Sequence, residues 1–183
     1  AAVLGGGVLP FLDRQRDGKK PFLLWVHYVD THTPYRAPGK YARRYYPAGR
    51  DPRDPRFTSL AEAWKQFPAH HRDNEFIKRW LGGITDVDYV IGTNKGSVSW
   101  LDENVGRLIA RLRKNGQWDN TIFLFTADHG ESLGEHGEST HGYFAYNSTL
   151  WVPLVISFPG AEPKKIEDDV CHADIFPTVC DIL

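Results

Sequence analysis

The stretch "TADHGESLGEHGESTHG", residues 126–142, holds His129, His136 and His141, each followed by glycine and set among acidic residues. Asp128 directly precedes His129, and a carboxylate oxygen beside an imidazole nitrogen suits a divalent cation. Gly130 and Gly134 allow the backbone to turn sharply around such a centre. The competing reading of Asp128 is a cap on a following helix. His141, in "STHG", precedes the aromatic segment "YFAYNSTLWVP". It either packs there or projects into the Asp128 pocket, where a protonatable imidazole can donate hydrogen bonds or protons to an anion. His136, in "GEHG", reads as a histidine that braces its loop. A second constellation, Asp30-Thr31-His32, lies far upstream. His70 and His71 are adjacent, so on a helix they face different directions and read as surface residues. His172 reads as structural.

The elements that must position these residues alternate between strand and helix. "FLLWVHYV", Phe22–Val29, is nearly continuous in apolar residues, as a buried parallel strand would be. It runs into "DTHTPY", where Pro34 keeps Thr33 out of helix. Residues 1–20 read as a lead-in helix or linker, and 36–57 as a Pro/Arg-rich surface loop, either simply solvated or a rim that attracts anions. "TSLAEAWKQF" starts with a Thr58 or Ser59 cap and reads as helix. Val98, Leu101, Val105, Leu108, Ile109 and Leu112 recur at helical spacing, and Lys114, Asn115 and Gly116 supply the C-terminal end. "WDN" is a turn. Thr121–Ala127 and Val152–Phe158 are the second and third strands, and "ADIFPTVCDIL" is a terminal apolar helix. This order predicts an α/β fold with a mostly parallel central sheet flanked by helices. In such sheets ligands bind beyond the carboxyl ends of the strands. Asp30-Thr31-His32 and Asp128-His129 both sit at such ends.

The chain has 183 residues, 41% hydrophobic and 13% aromatic, which fits a folded domain or part of a larger one. A formal net charge of −1 gives no sign of a nucleic-acid partner. No run is long and apolar enough to form a membrane segment, and no signal peptide opens the chain. Cys171 and Cys180 are too few for a disulfide framework and read as buried free thiols. The sequence begins at Ala1 and contains no Met, so it reads as a piece of something longer. Localisation is open among periplasmic, membrane-attached and cytoplasmic, as is the oligomeric state.

Taken together, "PFLLWVHYVDTHTPY", "GSVSWLDENVGRLIARLRKNGQWDNTIFLFTADHGESLGEHG", "THGYFAYNSTLWVPLVISFPG" and "DIFPTV" resemble, in this order, the sulfatases of the alkaline phosphatase superfamily. The likeness covers roughly Pro21 to Leu183. It implies an alkaline phosphatase-like sandwich, represented here as a fragment from the central to C-terminal part of the catalytic domain. By the resemblance, Asp128 and His129 match the metal-ligand pair. His32 matches the histidine of the "H-x-P" segment that contacts the sulfate or phosphate group. His141 stands where many relatives carry an anion-binding Lys, and would serve as anion contact or leaving-group acid. Tyr35 and His27 lie close to the matched segment and receive no catalytic role. The family's "Cys/Ser-x-Pro-x-Arg" nucleophile signature does not occur in this sequence.

The resemblance therefore implies part of a metal-dependent sulfuric ester hydrolase. A phosphodiesterase, a phosphonate monoester hydrolase or an envelope phosphotransferase of the same superfamily is the alternative, and a non-catalytic anion- or partner-binding module is the alternative of another class. The implied cofactor is one divalent metal ion, calcium for a sulfatase, with manganese or zinc admitted by the imidazole ligand. The implied substrate is an anionic small-molecule, glycan or lipid sulfate or phosphate ester. The chain alone is expected to be inactive.

Overall fold

The structure, a computed structural model, describes residues 7–17, 20–67, 69–138 and 140–183. In chain order the helices are α1 (Leu9–Arg14), α2 (Ser59–Gln66), α3 (Ala69–Arg72), α4 (Glu75–Leu81), α5 (Val87–Lys114), α6 (Asn147–Leu150) and α7 (Ile175–Ile182). Two strands, β1 (Phe123–Thr126) and β2 (Leu154–Ser157), lie between α5 and α7.

α5 is the spine, and its ends show why it forms where it does. Asp86 caps its start, accepting from the Asp88 N–H at 3.2 Å, and Arg111, Arg113 and Lys114 crowd its last turn, where the helix dipole favours positive charge. Gly116, at φ 69°, donates to the Arg113 carbonyl and Gln117 to that of Leu112. Those two bonds are the glycine-terminated helix end that "KNG" announces. The second half of α5 buries Leu108 and Leu112 against Val8, Leu9 and Leu12 of the α1 region, forming the apolar core. Asp13 fixes the pairing through Arg111 at 2.5 Å.

The first half of α5 buries small and polar residues instead: Gly92, Thr93, Asn94, Gly96 and Ser97. A Cβ at Gly96 would stand 2.3 Å from the Tyr41 carbonyl oxygen, and one at Gly92 2.8 Å from that of Tyr45. The glycines thus admit the 37–46 backbone directly onto the helix. The 36–57 region is correspondingly more than a surface loop, since Ala37, Tyr41 and Tyr46 are all buried. Three of its seven positive charges are paired with carboxylates. Arg50 pairs with Asp86 at 2.6 Å, Lys40 with Glu103 at 3.1 Å, and Arg56 with Asp54.

The strands depart from the expected pattern. Phe22–Val29 forms no ladder among the described residues. It alternates: Leu24, Val26 and Tyr28 pack on the core, while Leu23 is 93% exposed and Trp25 83%. The apolar run therefore covers one face, not two. β1 and β2 pair antiparallel, Phe123 opposite Ser157 and Thr126 opposite Leu154, so the mostly parallel sheet is not found among the described residues. Antiparallel pairing follows from the connection, because residues 127–153 return on the same side instead of crossing over through a long helix. The two cysteines, expected to be buried, are both exposed. α7 carries Cys180 with no buried residue of its own, and Phe176 on it is 77% exposed. No helix of the described residues is long and apolar enough to cross a membrane.

Candidate functional site

The end of β1 and the turn after residue 29 bring the chemistry together. His32 follows a turn closed by its N–H on the Val29 carbonyl at 3.2 Å. His129 follows β1, and its position is set by Gly130, whose N–H donates to the Thr149 carbonyl at 2.8 Å. A Cβ at Gly130 would lie 2.2 Å from the Ser148 carbonyl oxygen, so only glycine lets the α6 backbone come this close. His141 arrives on the returning loop. The His129 and His141 rings stack, with centroids 4.0 Å apart and planes at 26°; His32 meets His141 at 5.0 Å and His129 at 6.2 Å. One ring nitrogen from each of these histidines lies within 4.8 Å of the others.

Each ring is held by the same atom. The Nδ1–H of His32 donates to the Thr33 carbonyl at 2.7 Å, that of His129 to the Gly130 carbonyl at 2.7 Å, and that of His141 to Glu131 Oε1 at 3.0 Å. A carbonyl oxygen has no proton to give, so Nδ1 carries it and Nε2 keeps a free lone pair in the neutral ring. Glu131 does a second task. Its Oε2 accepts from the buried Tyr35 hydroxyl at 2.8 Å. Burial, then the charge and hydrogen bond of Glu131, push the Tyr35 hydroxyl far above the usual phenol range, so it remains a donor.

Asp128 lies beside the group without joining it. Its Oδ2 is 3.9 Å from His129 Nε2, and its side chain is 76% exposed. Partial burial pushes this carboxyl up. Its own N–H, the His129 ring, the His129 N–H and the His27 ring together outweigh burial and hold it below the ordinary aspartate value. The donor set next to Asp128 is rich in nitrogen. It fits manganese or zinc by its chemistry, and calcium only with further oxygen ligands.

Two other histidines, His136 and His172, are engaged elsewhere. His136 takes a left-handed φ of 58° and stacks on Tyr146 at 4.3 Å, as a loop brace does. His172 Nε2–H donates to the Ala127 carbonyl at 2.8 Å and pins the C-terminal segment to the end of β1. The side chains of His70 and His71 lie outside the described residues. The sequence reading missed Glu131 and gave Tyr35 no role. The available signal was a glutamate two residues after His129 and a tyrosine after "THTP".

A sequence model of the sulfatase family matches residues 6–183. The chain is 30% identical over 176 residues to the uncharacterized sulfatase YidJ of Escherichia coli K12, covering 92% of this chain and 33% of that protein. It is 31% identical over 175 residues to an arylsulfatase of Clostridium perfringens, covering 92% and 35%. Among solved structures, yidJ of Bacteroides fragilis superposes with a TM-score of 0.59 at 28% identity, over 84% of this chain and 30% of that one. The chain thus spans about a third of the length of these relatives. The structural likeness assigns it an alkaline phosphatase-like α/β fold. Matched over nearly its whole length, this chain belongs to the sulfatase family of the alkaline phosphatase superfamily.

Proposed function

We propose that the chain forms one wall of the active site of a sulfate ester hydrolase that uses one divalent cation. The observation that carries this reading is the convergence of His32, from a distant part of the sequence, on His129 and His141, with Asp128 beside His129. Asp128 and His129 hold the cation, with calcium the family's ion and manganese or zinc admitted by the imidazole. When bound, the ion supplies Lewis-acid polarisation of the ester oxygens. His32 and His141 turn Nε2 toward the anionic group. As imidazolium, each donates Nε2–H to the transferring group, and His141 can pass that proton to the leaving oxygen. Tyr35 and Glu131 keep His141 in the orientation this needs.

The substrate class is an anionic sulfate ester of a small molecule, glycan or lipid. In the longer polypeptide, residues Phe22–Val29 serve as a further strand of a mostly parallel sheet in an alkaline phosphatase-like sandwich. The exposed apolar side chains of Leu23 and Trp25 support that place, because they leave a second face for further chain to cover.

The test is hydrolysis of 4-nitrophenyl sulfate against 4-nitrophenyl phosphate by the gene-length protein, with and without chelator. Asp128→Ala and His141→Ala should each lower kcat/KM by about 10²-fold or more. Sulfate turnover that survives both substitutions would overturn the reading. The 183-residue chain alone should show no turnover.

A further inference from the structure

We propose that the imidazoles of His32, His129 and His141 form a binding site for a d-block cation, zinc(II) or cobalt(II), which shares His129 with the Asp128–His129 pair and takes imidazole nitrogens in place of the carboxylate. One ring nitrogen from each already lies within 4.8 Å of the others. A tetrahedral zinc ion with Zn–N bonds of about 2.0–2.1 Å needs neighbouring nitrogens about 3.3 Å apart. Those nitrogens need to close by up to about 1.5 Å, and their rings are carried on loops and not on helices or strands. The stacked His129 and His141 rings must splay to point at one ion, and this is the main rearrangement.

The tautomers favour this chemistry. All three Nδ1–H groups are committed to oxygen acceptors at 2.7–3.0 Å. This is the outer-sphere arrangement that orients metal-binding imidazoles and strengthens them as ligands. Two acceptors are backbone carbonyls and the third is Glu131, itself fixed by Tyr35. Three neutral imidazoles select zinc, cobalt or nickel over calcium and magnesium, which require oxygen ligands. The fourth coordination position falls where the anionic ester would sit, so ion and substrate exclude each other.

The experiment is a titration of the 183-residue chain with cobalt(II) chloride, followed by visible absorption and calorimetry. One equivalent should bind with the intense bands of four-coordinate cobalt. Zinc should displace it and excess calcium should not. His32→Gln, His129→Gln and His141→Gln should each weaken binding about tenfold or more, with circular dichroism confirming the fold. His136→Gln should bind as the parent chain does. Asp128→Asn should keep the four-coordinate spectrum. A six-coordinate spectrum, displacement by calcium, indifference to His32→Gln or loss of the bands in Asp128→Asn would each overturn the proposal. The readout is metal binding without catalysis, so this inference and the hydrolase reading can fail separately.

Discussion

Glu131 accepts from Tyr35 with one carboxylate oxygen and from His141 with the other. A glutamine there retains one acceptor and loses the second. Glu131→Gln should therefore lower cobalt affinity about tenfold, as outer-sphere changes do, and Tyr35→Phe should lower it less, both read by the same titration. Gly130 is constrained by space, not chemistry. Gly130→Ala must move the α6 backbone or the His129 loop, because the neighbour at 2.2 Å is a carbonyl oxygen. The expected loss is about 1–3 kcal/mol in urea unfolding, with weakened cobalt binding. At this scale the sequence was informative about residue types. Asp128, His129, His141 and His32 stand out by motif, and the loop after β1 stacks the His129 and His141 rings while His32 meets them from a separate segment. It was silent on Glu131, because a glutamate's partner is decided by how two loops meet.

Asp86 does for α5 what no apolar residue could. Fully buried, it caps the helix, pairs with Arg50 at 2.6 Å and accepts from Tyr46 at 2.7 Å. Asp86→Ala should cost about 2–3 kcal/mol in chemical denaturation, less than a fully enclosed pair because the Arg50 side chain remains 32% exposed. Burial and the bond to Asp86 push the Tyr46 hydroxyl up to about 12. An unfolded tyrosine releases its proton near pH 10, so this contribution is intact below that pH and is lost as pH rises toward 12. Thermal melts from pH 9 to 12 should show a steeper alkaline loss for the parent chain than for Tyr46→Phe. The end of α5 was legible from "KNG", but its start was not. The first turns bury Gly92, Gly96 and Ser97, which leave no apolar rhythm to read, while Val98, counted in the stripe, is 51% exposed. The run Phe22–Val29 misled in the opposite way: continuous apolar residues imply two covered faces, and only one is covered here.

Across the whole molecule, that uncovered face is the largest departure from a self-sufficient domain. Leu23, Trp25, Trp151 and Phe176 are all more than three-quarters exposed. Large exposed apolar groups on an extended segment promote association. The 183-residue chain should therefore self-associate, and Leu23→Lys with Trp25→Gln should reduce light scattering without loss of helical circular dichroism. The α/β class was readable from the order of elements. The sheet was not, because a ladder depends on which segments lie side by side.

The connection between β1 and β2 also carries a consequence for how the site comes into being. The His141–Glu131 bond joins positions 10 residues apart, whereas the Tyr35–Glu131 bond joins positions 96 apart. Closing the longer loop costs about 2 kcal/mol more in chain entropy. The His129–His141 half can therefore assemble within its own hairpin. His32 docks last, on a segment with no ladder to retain its amide protons, and hydrogen exchange should find that side of the site opening first.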